Sequence, residues 1–182
     1  MFVKKFYISD THFGHGLMLL PEACGRPFRD TGEMDEAMIA RWNAVVGAGD
    51  IVYHLGDFAM GLGDEARVRG IFHRLRGRKI LVLGNHDFKR PGIVHPTLAG
   101  LEWAAPPTPA METTDEGYRV YLSHYAHRTW PGAQKGAFHF YGHCHGELPA
   151  MGRSRDVGVD CRDVAFRPRT FKELTRGMHD DR

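Results

Sequence analysis

Short apolar runs alternate with amphipathic segments through the first half of the chain. Val3, Phe6, Tyr7 and Ile8 favour an extended, buried strand over residues 2–9. Residues 10–29 are irregular, broken by Gly14, Gly16, Pro21, Gly25 and Pro27, and loops of this length in compact domains are often functional. A helix is predicted over 33–46. Asp30 and Glu33 resemble a capping box at its start, and Met34, Met38, Trp42 and Val45 fall on one apolar stripe. Gly47 and Gly49 stop it. Residues 51–55 read as a second strand. Residues 64–76 read as a second helix, with Val68, Ile71, Phe72 and Leu75 facing the core and Gly77 ending it, and 79–83 as a third strand. The β-α-β-α-β order predicts parallel pairing with right-handed crossovers.

After Asp87 the pattern changes, and Pro91, Pro96, Pro106, Pro107 and Pro109 interrupt the chain. Short strands are predicted at 101–104 and 110–114. Asp115-Glu116-Gly117 forms a hairpin turn into a strand at 118–123. Further strands are predicted at 137–141 and 157–160, and a closing helix runs from Pro168 through Phe171, Leu174 and Met178. No repeat, low-complexity segment or linker divides the chain, so residues 1–182 are expected to form a single domain.

Composition narrows the function classes. A chain of 182 residues can bury one proper core. Its net charge of +2, from 24 Lys and Arg against 22 Asp and Glu, gives no strong pull toward nucleic acid or membrane. Arg153, Arg155, Arg162, Arg167 and Arg169 cluster late, but Asp156, Asp160 and Asp163 are mixed among them, as on a solvated surface. A nucleic-acid partner is therefore not favoured. Cys24, Cys144 and Cys161 are odd in number with no C-x-x-C spacing, which argues against a disulfide framework and fits a reducing cytoplasm. The apolar stretch at the N-terminus is too short for a signal peptide, and no run approaches the roughly 20 residues that span a bilayer.

The candidate chemistry lies where apolar runs end. Ile8-Ser9-Asp10-Thr11-His12 closes the first with D-x-H, and His54-Leu55-Gly56-Asp57 closes another with G-D. Leu83-Gly84-Asn85-His86-Asp87, Leu122-Ser123-His124 and Tyr141-Gly142-His143-Cys144-His145 close three more. The collected oxygen and imidazole donors suit Mn, Fe, Zn or Ni better than a thiolate-seeking metal. D-x-H and H-x-H each offer two groups to one region, because residues i and i+2 of an extended segment share a side; Cys144, between them, is expected to point away. A carboxylate such as Asp57 can bridge two ions, and Gly56, Gly84 and Gly142 let the backbone turn without a Cβ in the way. Two ions roughly 3.5–4 Å apart clamp a phosphate and acidify a bridging water, which points to metal-assisted phosphoester hydrolysis.

The ordered set D-x-H, G-D, G-N-H-D, H and G-H-x-H, from Asp10 to His145, resembles the calcineurin-like metallophosphoesterase superfamily. The stretches Ile8-Ser9-Asp10-Thr11-His12-Phe13-Gly14-His15 and Val157-Gly158-Val159-Asp160 are similar to its small single-domain bacterial and phage members. The resemblance implies an α/β fold, a four-layer α/β/β/α sandwich with a dimetal site at the strand ends. By motif, Asp10, His12 and His145 would bind the first ion and Asn85, His124 and His143 the second, with Asp57 bridging. His86 would be no ligand; it would protonate the leaving group or steady charge. Some members carry a second acid soon after G-D, and Gly56-Asp57-Phe58-Ala59-Met60 has none. Adjacency suggests that Asp87 orients His86 instead.

The expected activity is attack on phosphorus by a metal-bridging hydroxide, on a small or exposed phosphodiester. A phosphomonoesterase and a non-catalytic metal-binding scaffold are the alternatives. Two divalent ions are expected, Mn first, with Fe, Zn, Ni and Mg behind it. Arg128, His127 and His15 are the candidate substrate contacts, while Arg26, Arg29, Lys89 and Lys135 read equally well as surface charges. His54, His73, His95, His139 and His179 are taken as ordinary core or surface histidines. Oligomeric state stays open.

Overall fold

The computed structural model describes residues 3–178, so Phe2 and His179 lie outside the described residues. In chain order the elements are β1 (Lys5–Ile8), α1 (Thr31–Val45), β2 (Ile51–His54), α2 (Glu65–Arg74), β3 (Arg78–Leu81), β4 (Phe88–Arg90), β5 (Ile93–Val94), α3 (Pro96–Ala99), β6 (Ala110–Asp115), β7 (Tyr118–Ser123), β8 (Phe138–Tyr141), β9 (Ser154–Asp156), β10 (Arg169–Thr170) and α4 (Phe171–Leu174). Two four-stranded sheets carry the fold, ordered β10-β1-β2-β3 and β6-β7-β8-β9. β1, β2 and β3 are parallel, as the alternation of strands and helices predicts. In the second sheet an antiparallel β6–β7 hairpin is followed by parallel β7, β8 and β9. Glu116 and Gly117 make the hairpin turn, both left-handed at φ 47° and 83°, as a two-residue type I′ turn requires.

Alternation along β1 assigns the layers. Phe6 and Ile8 join Met34, Met38 and Trp42 of α1 and Phe72 of α2 in one core. Tyr7, between them, points the other way, into a second core with Tyr53, Leu122 and Phe140 between the sheets. With both faces covered, β1 is apolar from Phe6 to Ile8. The second sheet's outer face carries Tyr121, His139 and Tyr141, with His127 and Trp130 packed over them. This outermost layer is thin, because among the described residues its regular structure is one 3-10 turn at Ala133–Lys135. The α/β/β part of the expected sandwich is fully formed. No helix among the described residues is long and apolar enough to cross a membrane.

Local signals succeed for α1 and α2. Asp30 accepts the Glu33 N–H at 2.8 Å, while Glu33 reaches back to the N–H of Arg29 rather than of Asp30. Ile39 and Val46 extend the buried stripe, and Val45 is half-buried. Three predicted elements are corrected. Residues 101–104 are no strand; Trp103 turns inward, its ring 4.8 Å from Phe72 and its Nε1 donating to Leu98 O. Residues 157–160 are no strand because they cross between sheets: Val157 N–H bonds Tyr141 O, and Val159 N–H bonds Ser9 O. The strand lies just before them, as β9. The C-terminal helix shrinks to one turn, because Arg169 and Thr170 pair antiparallel with Tyr7 and Phe6, and Thr170 then caps α4.

Candidate metal centre

β1, β2, β3, β7 and β8 all deliver chemistry at their C-terminal ends, to one rim where the two sheets meet. Asp10 (φ 58°), His12 (48°), Asp57 (57°), His143 (67°) and His145 (49°) sit in the left-handed backbone region. Non-glycine residues rarely enter it, at a cost of order 1–3 kcal/mol each, and do so mainly at functional sites. Among the described residues Glu116, Ala165 and Phe166 are the other non-glycine residues with positive φ. Gly84 and Gly142 serve close approach. A Cβ on Gly84 would strike the Asp57 carboxylate, and one on Gly142 would strike Ser9 Oγ and Asp10 Oδ2.

The rim holds two adjoining groups. Asp10, His12 and His145 offer donor atoms within 4.8 Å of one another, and so do Asp57, His124 and His143. Asn85 Oδ1 joins the second group, 3.0 Å from His124 Nε2. Asp57 stands between them: its Oδ2 is 3.6 Å from His12 Nε2 and 3.5 Å from His124 Nε2. Its Oδ1 accepts the backbone N–H of His86 at 2.8 Å. The seven side chains expected as ligands are thus brought together.

His86 is exposed at the mouth, its ring 5.3 Å from that of His12 and 6.2 Å from that of His15. His15 is half-buried there, 5.3 Å from His12. His127 is not at the rim; it packs on Tyr121 and His139 across the second sheet. Arg128 is exposed, and among the described residues no hydrogen bond ties it to the cluster. Asp87 does not orient His86. Its carboxylate is spent on the backbone N–H groups of Asp57, Phe58 and Gly84 at 3.0, 3.1 and 2.8 Å.

Four further residues at the centre lie outside the five donor motifs. Tyr125, half exposed, lays its ring 4.7 Å from His143 and 5.1 Å from His124. Cys24 Sγ lies 3.4 Å from His145 Nδ1. Asp160 accepts from the same nitrogen at 2.7 Å, and buried Arg26 grips Asp160. The Gly- and Pro-rich loop around Arg26 and the Val-Gly-Val-Asp stretch were the available signals. Neither says which atoms meet.

A family model for calcineurin-like phosphoesterases matches residues 6–164. The chain belongs to the calcineurin-like phosphoesterase family. The match contains every residue of the two donor groups. A Methanocaldococcus jannaschii protein, Uncharacterized protein MJ1445, is 40% identical over 88 residues, 48% of this chain and 49% of that protein. That match spans about half the length of the relative. The crystal structure of AQ665, a protein of unknown function from Aquifex aeolicus, is similar with a TM-score of 0.70 at 23% identity, covering 96% of this chain and 99% of that one. At that identity the likeness concerns the fold.

Family membership implies divalent metal ions, and the donor groups fit them. Asp10 Oδ1 and both ring nitrogens of His12 are buried without a hydrogen-bond partner, a state such groups seldom keep. His12 Nε2 is 3.9 Å from Asp10 Oδ1 and 3.6 Å from Asp57 Oδ2, too far for hydrogen bonds. Such separations suit donors sharing an ion at bonds of about 2 Å. Burial pushes Asp10 up to about 7 and His12 down to about 2. Burial also opposes charge on Asp57, yet His124, His12 and the His86 N–H hold it at about 2. His124 is lifted to about 9 against burial by Asp57 and Asp10. His145 is lifted to about 10 against burial, chiefly by Asp160. Asp10, His124 and His145 thus hold protons where cations would supply positive charge.

Proposed function

We propose that the chain is a metal-dependent phosphoesterase acting on a small or exposed phosphodiester. The observation that carries this reading is the convergence of five left-handed donor residues on buried, unpartnered polar atoms at one rim. Asp10, His12 and His145 would hold one ion, Asn85, His124 and His143 the other, and Asp57 Oδ2 would face both. Two divalent ions there would supply positive charge to a phosphoester and acidify water. Carboxylate, amide and imidazole donors suit Mn, Fe, Zn or Ni, and Mn is the first ion to test.

His86 supplies the proton chemistry. Its main chain is fixed by the N–H bond to Asp57, while its exposed ring faces the mouth. From there the ring can give a proton to the departing oxygen, as a general acid does. A monoester brings two negative charges and a diester one. The guanidinium beside the centre, Arg26, is committed to Asp160 and to the carbonyls of Asp10 and Thr11. Among the described residues no other Lys or Arg bonds into the donor groups, which favours the singly charged diester. The exposure of Asn85, His86 and His143 supports a substrate that approaches an open rim. The small net charge argues against a nucleic acid.

The test uses chelator-stripped protein with bis-p-nitrophenyl phosphate and p-nitrophenyl phosphate, with and without Mn. Mn-dependent hydrolysis of the diester in preference to the monoester is expected. The reverse preference would make the protein a phosphomonoesterase. Inactivity on both despite bound Mn would point to the scaffold.

A further inference from the structure

We infer that Arg26 and Asp160 are positioning residues for the half of the centre formed by Asp10, His12 and His145. The inference rests on the two-ion reading above. Arg26 is 2% exposed, and its nitrogens converge on that half. Nε and Nη2 donate to the two oxygens of Asp160, each at 2.8 Å. Nη2 also donates to Asp10 O at 2.7 Å, and Nη1 to Thr11 O at 2.8 Å. Asp160 Oδ2 then accepts from His145 Nδ1 at 2.7 Å. One guanidinium therefore joins the D-x-H loop after β1 to the imidazole after β8.

Each contact has a consequence for ion binding. With Nδ1 turned to Asp160, Nε2 of His145 is the nitrogen left to meet an ion once its own proton has gone, and the ring plane is fixed. The planar fork of Arg26 meets both carboxylate oxygens and stops Asp160 from rotating. Its bonds to the Asp10 and Thr11 carbonyls hold the left-handed turn that carries Asp10 and His12. The other half is supported differently. His124 Nδ1 is 2.8 Å from Leu55 O, and Asp87 binds the backbone of Asp57. Arg26 makes no hydrogen bond to Asp57, Asn85, His124 or His143, so its removal should act on one ion alone.

The experiment is calorimetric titration of chelator-stripped protein with Mn, with electron paramagnetic resonance to tell coupled ion pairs from isolated ions. Wild type is expected to take two ions. Asp160→Asn is expected to weaken one of them roughly 10–100-fold, leave the other unchanged, and show isolated ions at limiting Mn. Because Asp160→Asn leaves the buried Arg26 without its counter-charge and can unfold the chain, the double variant Arg26→Met with Asp160→Asn is measured alongside. The same one-ion loss is expected there. Two ions at wild-type affinity in either folded variant overturns the inference, and so does equal weakening of both. Loss of folding in both variants also overturns it, since the network would then hold the fold rather than the ion. Fewer than two ions in wild type would instead bring down the two-ion reading itself.

Discussion

Asp87 Oδ2 accepts the backbone N–H of Asp57 at 3.0 Å, so the loop after β3 grips the loop after β2 through a fully buried carboxylate. The same group takes the N–H of Phe58 at 3.1 Å and of Gly84 at 2.8 Å. Three backbone donors thus fix the turn from which Asp57 faces both halves of the centre. Asp87→Asn keeps the shape, but its amide nitrogen must face an N–H and cannot accept from it. The expected result is a stability loss of roughly 1–3 kcal/mol with weaker Mn uptake and an unchanged pH profile of turnover. Thermal melts, Mn titration and the pH profile check this. A shifted profile would restore Asp87 as the residue that orients His86.

His86 and Asp57 are expected to separate turnover from binding. His86 holds Asp57 Oδ1 through its main chain, and that N–H survives His86→Ala. The variant should keep wild-type metal content and lose roughly 10²–10⁴-fold in turnover. Asp57→Ala removes the oxygen that faces both His12 and His124, so metal and activity should fall together. Metal analysis beside a diesterase assay reads both. Normal turnover by His86→Ala would remove that ring from the mechanism.

Gly142→Ala tests close approach without backbone strain, since Gly142 is not left-handed. The added Cβ would meet Ser9 Oγ and Asp10 Oδ2 and push Asp10 from its place. A cost of roughly 1–3 kcal/mol is expected for such overpacking, with reduced Mn uptake. Gly63→Ala is the control, because a Cβ there meets nothing within 4 Å. Equal Mn uptake by both variants would contradict this account.

The first half of the fold was legible because each signal in it is local. α1 and α2 announce themselves by caps and stripes, and β1, β2 and β3 by apolar runs. The expected ligands were legible because each closes such a run. Residues 157–160 were misread because their apolar character serves two sheets at once, with Val157 bonded to one and Val159 to the other. The pairing of Arg26 with Asp160 was missed for a related reason. They pair across 134 positions, and an arginine in a Gly- and Pro-rich loop looks like a surface charge until its partner is in view. His127 follows His124 closely in sequence, but the chain turns after His124 and carries it to the opposite face of the second sheet.

Metal uptake is expected to strengthen as pH rises, and three of the proposed ligands set the direction. In the metal-free protein burial raises Asp10 to about 7. His124 and His145 are lifted against burial to about 9 and about 10, by Asp57 and Asp160 respectively. A raised value means that the protonated form persists to higher pH, and an imidazolium has no free lone pair for an ion. Binding must therefore expel those protons. Affinity should climb as pH rises toward about pH 10, most steeply below about pH 7, where Asp10 also keeps its proton. Asp57 and His12, both at about 2, are already deprotonated across this window and add nothing to it. Calorimetry in two buffers of different ionisation enthalpy counts the protons, and about two per loaded chain are expected near about pH 8. Uptake that released no proton and stayed level between about pH 6 and about pH 9 would mean that neither imidazole is a ligand.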